Sequence, residues 1–190
     1  EARFDILIVG GGAAGIATAA SLLARDPSLD IAILDPAQTH YYQPGWTLVG
    51  AGVFEPPRTA RPMAAVIPRG VKWIQAAAAA FEPEKNAVIL DGCRVLAYRH
   101  LVVCPGLKLD WNAIAGLSET LGRNGVTSNY RFDLAPYTWH LTRAMEDKGG
   151  GQAIFTQPPM PIKCAGAPQK AMYLAADWWH KNQTLINTDI

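Results

Sequence analysis

The stretch Asp5-Ile-Leu-Ile-Val-Gly10-Gly-Gly12-Ala-Ala-Gly15 decides the fold class of this chain. Its first half is a continuous apolar run that ends in glycine, which is typical of a strand buried on both faces of a parallel sheet. Residues 13–25 are rich in alanine and favour a helix, and residues 30–34 form a second apolar run. A strand, a helix and a second strand in close succession predict a right-handed βαβ unit.

The glycine spacing within this unit, Gly10-x-Gly12-x-x-Gly15, predicts a dinucleotide-binding turn. Gly10 permits the tight turn, Gly12 lets the backbone approach a pyrophosphate, and Gly15 lets the helix pack closely against the strand. The helix then begins with Ala13 and Ala14, where unpaired backbone N–H groups and a partial positive charge face the phosphates.

Asp35 predicts how the sugar of the dinucleotide is held. It lies 20 residues after Gly15, at the end of the second apolar run. Its carboxylate is placed to accept hydrogen bonds from the adenosine ribose hydroxyls, and it would repel the 2′-phosphate of NADP. The fingerprint stands at the start of the chain and a second, glycine-poor unit follows, which favours FAD over NAD.

Composition and charge exclude several other classes of protein. Hydrophobic residues make up 49% of the 190 residues and charged residues 17%, which is typical of a globular domain. The net charge of +1 and the lack of a like-charge run argue against nucleic acid as a partner. The sequence contains neither a secretory signal nor an apolar run of the about 20 residues that a spanning helix needs, so we expect these residues to be soluble.

The remaining pattern predicts an α/β protein with two parts. Residues 1–148 are expected to form a Rossmann-like FAD-binding domain, a parallel sheet with helices plus antiparallel strands, and residues 149–190 the beginning of a second Rossmann-like unit. Gly149-Gly150-Gly151 marks the predicted boundary, and residues 39–68 lack regular periodicity. Beyond the βαβ unit, the predicted strands are 71–74, 88–90, 100–104, 152–156 and 184–190, and the predicted helices are 134–148, with Asp133 as its N-cap, and 168–181.

The second unit lacks the glycine fingerprint of the first. After its first strand the sequence reads Gln157-Pro-Pro-Met-Pro-Ile-Lys-Cys164-Ala-Gly-Ala-Pro168. Prolines and a lysine stand where a pyrophosphate needs close backbone approach, so we expect no nicotinamide cofactor at this loop. The loop offers Cys164 instead, where Lys163 and a following helix N-terminus favour the nucleophilic thiolate. An inert loop cysteine is the alternative.

The other two cysteines are expected to be less reactive. Cys104 ends a predicted strand and Cys93 lies in a turn, so core and surface positions are favoured for them. Three widely spaced cysteines do not suit a disulfide scaffold or a zinc cluster, and no metal site is expected.

Two long motifs resemble sulfide:quinone oxidoreductases, and most of all the branch that includes the mitochondrial enzyme. They are His40-Tyr-Tyr-Gln-Pro44-Gly-Trp46-Thr-Leu-Val-Gly50-Ala-Gly52 and Pro161-Ile-Lys-Cys164-Ala-Gly-Ala-Pro-Gln-Lys170-Ala-Met-Tyr-Leu174. Gly116-Leu117 and Ser128-Asn129-Tyr130 are similar too. The resemblance covers nearly the whole chain but only about the first half of a family member.

The resemblance implies an FAD enzyme that oxidises hydrogen sulfide and passes two electrons to a membrane quinone. It implies that Cys164 is the first of two cysteines that carry sulfur as a persulfide or polysulfide, which a small thiol or another acceptor removes. Lys163 would hold anionic sulfur or be a solvated surface charge. The residues that it assigns to FAD are Gly10, Gly12, Ala13, Ala14, Gly15, Asp35, Pro44, Trp46, Ala78, Cys104 and Gly106.

Several expected features belong to a C-terminal half outside these residues: the partner cysteine, the quinone site and the membrane-docking helices. The resemblance implies a peripheral protein of the bacterial cytoplasmic membrane or the mitochondrial inner membrane, and it allows a homodimer. Three alternatives stay open at this point. They are the flavin subunit of a flavocytochrome c sulfide dehydrogenase, a type II NADH dehydrogenase, which the proline-rich loop disfavours, and an inactive flavin-binding fragment.

Overall fold

A computed structural model describes residues 2–190, which form an α/β fold as predicted. The strands are β1 (Ala2–Val9), β2 (Ile31–Leu34), β3 (Thr39–Tyr41), β4 (Ala60–Pro62), β5 (Lys72–Ile74), β6 (Ala78–Glu82), β7 (Ala87–Leu90), β8 (Val95–Val103), β9 (Gly151–Gln152) and β10 (Thr188–Asp189). The α-helices are α1 (Ala13–Arg25), α2 (Trp46–Val49), α3 (Met63–Val66), α4 (Leu117–Thr120), α5 (Ala135–Asp147) and α6 (Ala167–Lys181). Short 3-10 turns lie between them.

The chain divides into two compact units that interleave along the sequence. The first unit comprises the chain up to Tyr41 together with Ala60–Leu109, and the second comprises Tyr42–Thr59 with Asp110–Ile190. The predicted boundary between residues 148 and 149 concerns the domains of a longer protein and stays a prediction.

The first unit is built on a six-stranded sheet in the order β5-β2-β1-β8-β7-β6. Strand β1 pairs in parallel with β2 and β8, and β5 extends the parallel part on β2. Strands β6 and β7 add an antiparallel edge. This arrangement confirms the predicted parallel sheet with additional antiparallel strands.

The apolar run of β1 is buried because the sheet is covered on both faces. Leu7 and Ile8 are both fully buried, yet they belong to different hydrophobic clusters. Ile8 packs with Ala19 of α1, whereas Leu7 packs with Phe4 and Leu96 on the other side. Each such side chain contributes about 1.5–3 kcal/mol through its burial.

Some element predictions in the first unit were wrong. The segment 71–90 was expected to hold two strands, but β6 forms a third that includes part of the alanine run and pairs with β7 across a bulge. Alanine has a low intrinsic strand preference, so pairing with a neighbour decides its conformation. Strand β8 also begins at Val95, well before the predicted start at His100.

Residues 39–68 are more regular than predicted. They contain the antiparallel pair β3 and β4 and two single-turn helices, α2 and α3. Elements of three or four residues are too short to leave a periodic pattern in the sequence.

The second unit packs its two long helices through tryptophans. Trp179 of α6 is 2% exposed, and its Nε1 donates a 2.9 Å hydrogen bond to the carbonyl oxygen of Thr142 on α5. Trp139 and Trp178 meet edge to face with ring centroids 4.7 Å apart. These contacts fix α5 against the C-terminal part of α6.

Strands β9 and β10, which come before and after α6 in the sequence, pair in parallel. This strand–helix–strand order is the one expected at the start of a second Rossmann-like unit, and such a unit over residues 149–190 stays a prediction. Both strands are shorter than the predicted 152–156 and 184–190, and a 3-10 turn over Leu185–Asn187 replaces the start of the latter.

The prediction that Asp133 is the N-cap of α5 was wrong. Leu134 occupies that position, while the carboxylate of Asp133 accepts a 3.0 Å hydrogen bond from Arg131 Nε.

Across residues 2–190, no helix is both long and apolar enough to cross a membrane.

Candidate functional site

The glycine turn packs tightly on its protein side and is open on the other. Gly10 has a φ of +112°, and a Cβ on it would lie 2.1 Å from the carbonyl oxygen of Cys104. A Cβ on Gly15 would lie 1.9 Å from the carbonyl oxygen of Gly10. A Cβ on Gly12, in contrast, would meet no heavy atom within 4 Å. The turn therefore has the close packing and the open outer side that a pyrophosphate-binding turn requires.

The first turn of α1 carries no acidic side chain and no side-chain cap. Gly12 is its N-cap without a side-chain hydrogen bond, and the first turn has no acidic residue. Ala13 and Ala14 are exposed. The partial positive charge of this 13-residue helix is thus available to an external phosphate.

Asp35 is joined directly to the glycine turn. Its Oδ2 accepts a 2.6 Å hydrogen bond from the backbone N–H of Gly11, and its Oδ1 accepts a 2.8 Å bond from Ala37. The Asp35 carbonyl oxygen accepts a 2.9 Å bond from Trp73 Nε1. The half-buried carboxylate is therefore fixed beside the glycine turn, and its remaining lone pairs can accept a hydrogen bond from a sugar hydroxyl.

The residues that follow β8 lie beside the glycine turn. The backbone N–H of Cys104 donates to Val9 at 2.8 Å, and its Sγ lies 3.8 Å from the carbonyl oxygen of Gly10. Burial raises the pKa of the Cys104 thiol, so this sulfur stays protonated at neutral pH. Gly106 follows with a φ of +78° and open space around it, and Ala78 is half-buried at the start of β6.

The structure thus brings Asp35 and Cys104 to the glycine turn, where Asp35 contacts Gly11 and Cys104 contacts Gly10. Pro44 and Trp46, which were predicted to lie near the flavin, belong to the second unit. Pro44 is exposed in a 3-10 turn, while Trp46 is 9% exposed and packs against Phe132 and Ala135.

Cys164 lies in an exposed loop of the second unit, three residues before α6 begins. Its φ is +63°, and its carbonyl oxygen accepts a 2.9 Å hydrogen bond from the N–H of Ala167. Lys163 is held twice, because its Nζ donates to Gln43 Oε1 and its carbonyl oxygen accepts from the Tyr130 hydroxyl. A free thiol beside an uncapped helix N-terminus with no acidic residue in its first turn can act as a nucleophile.

Two further residues contact these sites. The sequence left His40 open between reaching the flavin region and packing, and its Nδ1 lies 3.2 Å from the carbonyl oxygen of Gly11. Tyr130 was noted only as part of a similar tripeptide, yet it binds the residue before Cys164. Each contact joins positions 29 or 33 residues apart, and no local pattern reports such a distance.

Residues 4–146 match the pyridine nucleotide-disulphide oxidoreductase family. The chain belongs to that family. The glycine turn, the uncapped α1 and Asp35 all lie within the matched residues, whereas Cys164 lies beyond them.

Among members of the family, the chain is similar to sulfide:quinone oxidoreductases. It is 42% identical over 178 residues to the mitochondrial sulfide:quinone oxidoreductase of Dictyostelium discoideum and 40% identical over 179 residues to that of Mus musculus. These matches take in 93% and 94% of this chain but 39% of each relative, so the chain spans about two fifths of their length. The resemblance expected from the two motifs is confirmed for the N-terminal part.

A solved structure gives the same result for the fold. The sulfide:quinone oxidoreductase of Aquifex aeolicus superposes with a TM-score of 0.77 at 21% sequence identity, over 99% of this chain and 42% of that one. Such a low identity supports the fold class of the family and leaves the chemistry to the site itself.

Proposed function

We propose that this chain is the FAD-binding and sulfur-carrying part of an enzyme that oxidises hydrogen sulfide and passes the electrons to a membrane quinone. The observation that carries this proposal is the 40–42% identity to mitochondrial sulfide:quinone oxidoreductases over nearly the whole chain. The geometry of the glycine turn supports a dinucleotide on the first unit.

The residues of the first unit fit the ADP half of FAD. The N–H groups at Gly12, Ala13 and Ala14 would bind the pyrophosphate, because that end of α1 is open and uncapped. Asp35 would accept from the adenosine ribose, with its orientation fixed by Gly11. Gly106 and Ala78 would line the same cleft, Cys104 would hold the turn, and Pro44 and Trp46 would approach the flavin. FAD, when bound, would accept two electrons and return them one or two at a time.

Cys164 would carry the sulfur. In the proposed step, hydrosulfide attacks a sulfur bridge between Cys164 and a second cysteine from the rest of the protein. One S–S bond breaks, a new one forms to the incoming sulfur, and one cysteine leaves as a thiolate. The exposure of Cys164 and its position before α6 suit this exchange.

Lys163 would act on the loop rather than on sulfide. Its ammonium donates to Gln43, so its charge is directed to an internal partner. This contact favours a role in holding the loop over the alternative of binding anionic sulfur.

The other parts of the reaction would lie outside these residues. The quinone site, the second cysteine and the membrane contact would belong to the C-terminal half, a small thiol would remove the sulfur, and a homodimer is compatible with this scheme. The protein would be peripheral on an energy-transducing membrane.

Sulfide-dependent bleaching of the flavin tests the proposal. The full-length protein is mixed with sulfide under anaerobic conditions, with and without a short-chain quinone, and flavin absorbance is followed. Cys164→Ser should slow bleaching by at least about a hundredfold, since it removes the sulfur bridge that hydrosulfide attacks. Quinone should restore the oxidised flavin in the parent protein.

Cys93→Ser is the matched control, because Cys93 is also exposed and also has a φ of +63°. It should bleach at the parental rate. No bleaching of the parent by sulfide, or equal bleaching in Cys164→Ser, would contradict the proposal.

A further inference from the structure

Tyr130 reaches the Cys164 loop from a distant part of the second unit. Its hydroxyl donates to the carbonyl oxygen of Lys163, the residue before Cys164. Its own backbone is fixed, since its N–H donates to Ser128 Oγ at 3.1 Å. The phenol therefore links the segment before α5 to the loop before α6.

The neighbouring residue Asn129 extends this contact to the loop formed by residues 43–50. A Cβ on Gly50 would lie 2.4 Å from Asn129 Oδ1, so Asn129 packs directly on the backbone there. Lys163 Nζ reaches the same loop through Gln43. The segment 128–130 thus braces two loops of the second unit against each other.

The Cys164 backbone needs such support. Its φ of +63° is a left-handed conformation, which residues with a Cβ adopt only when their surroundings hold them there. Burial raises the pKa of the Tyr130 hydroxyl, and the negative charge of a Cys164 thiolate raises it further. The donor of this hydrogen bond therefore keeps its proton at neutral pH while it lies within electrostatic range of the sulfur.

We propose that Tyr130 is a positioning residue that holds the Cys164 loop, and with it the sulfur, in the geometry of the reaction. The inference rests on the proposed function. Tyr130 does not touch sulfide in this scheme and acts through the Lys163 carbonyl group. Its loss should lower the maximal rate and leave the half-saturating sulfide concentration unchanged.

Hydrogen exchange of the full-length protein without sulfide tests only the hydrogen bond from Tyr130 to the Cys164 loop. In Tyr130→Phe, exchange over residues 163–167 should accelerate about fivefold, as expected for the loss of one net hydrogen bond. The matched control is Tyr173→Phe, because Tyr173 is 67% exposed on α6. Ser128→Ala should give a smaller acceleration and replaces Tyr130→Phe where that variant folds poorly. Unchanged exchange in both variants would show that Tyr130 does not hold the loop, whatever the sulfide chemistry is.

A double-mutant cycle on flavin bleaching tests the positioning role. Tyr130→Phe should reduce the maximal rate about tenfold with unaltered FAD content, since a small misplacement of a reacting group is costly. Added to Cys164→Ser, it should have no further effect, because both changes act on one group.

Additive losses, or a parental rate in Tyr130→Phe, would overturn the role of Tyr130. A Cys164→Ser variant as fast as the parent would instead reject the proposed function. The exchange measurement would still show whether Tyr130 holds the loop.

Discussion

At the scale of single residues, the glycine turn separates structural from binding requirements. Gly10 and Gly15 are needed because a Cβ at either would collide with backbone carbonyl oxygens. Gly12 has open space, so packing does not require a glycine there, and we expect its lack of a side chain to serve ligand binding. Sequence spacing predicts all three positions together, and only the structure divides their roles.

Alanine substitutions should expose that division. Gly15→Ala places a Cβ 1.9 Å from the Gly10 carbonyl oxygen and forces α1 away from β1. We expect the free energy of unfolding to fall by about 1–3 kcal/mol, as for other overpacked positions. Gly12→Ala should cost less than about 1 kcal/mol, typical of an alanine N-cap, but should weaken FAD binding.

Urea unfolding and FAD titration of both variants measure the two effects. Equal stability losses in the two variants would contradict the assignment. So would undiminished FAD affinity in Gly12→Ala.

At the scale of elements, local patterns predict what local contacts determine. The βαβ unit was predicted closely because its apolar runs and alanine-rich helix are decided within each segment. Strand β6 was not predicted, and β9 was predicted to be longer than it is. Pairing with β7 and with β10 determines where these two strands form, and a local pattern does not contain that information. The contact of Tyr130 with Lys163 was missed for the same reason, since the two residues are 33 positions apart in the sequence.

Packing between α5 and α6 should dominate the stability of the second unit. Trp179→Ala removes a 2% exposed indole and its hydrogen bond to Thr142. The free energy of unfolding should fall by about 3–5 kcal/mol, as for other buried aromatic residues. Chemical denaturation followed by tryptophan fluorescence and circular dichroism measures the change.

His180→Ala is the matched control, since His180 is the next residue of α6 and is exposed. It should change stability by less than about 0.5 kcal/mol. Similar losses in both variants would mean that the helix itself, rather than its packed face, is what stabilises the unit.

At the scale of the whole molecule, binding in the first unit is linked to the stability of the fold. A ligand that binds only the folded state raises the free energy of unfolding according to its concentration and dissociation constant. The 190-residue chain contains the glycine turn, α1 and Asp35, which are the residues that fit the ADP half of FAD. Its stability should therefore depend on FAD concentration.

FAD at a hundred times its dissociation constant should stabilise the chain by about 2.7 kcal/mol. Asp35→Ala should reduce this stabilisation at the same FAD concentration, because the ribose loses its acceptor and the Gly11 N–H loses its partner. Asp30→Ala is the control: it removes an exposed ion pair with Lys72 and leaves the turn intact, so it should show the parental shift.

Thermal unfolding across an FAD titration measures the stabilisation of the parent and of both variants. If FAD leaves the parental midpoint unchanged, the glycine turn and Asp35 are insufficient to hold the dinucleotide. If Asp35→Ala shifts as much as the parent, the ribose is held elsewhere.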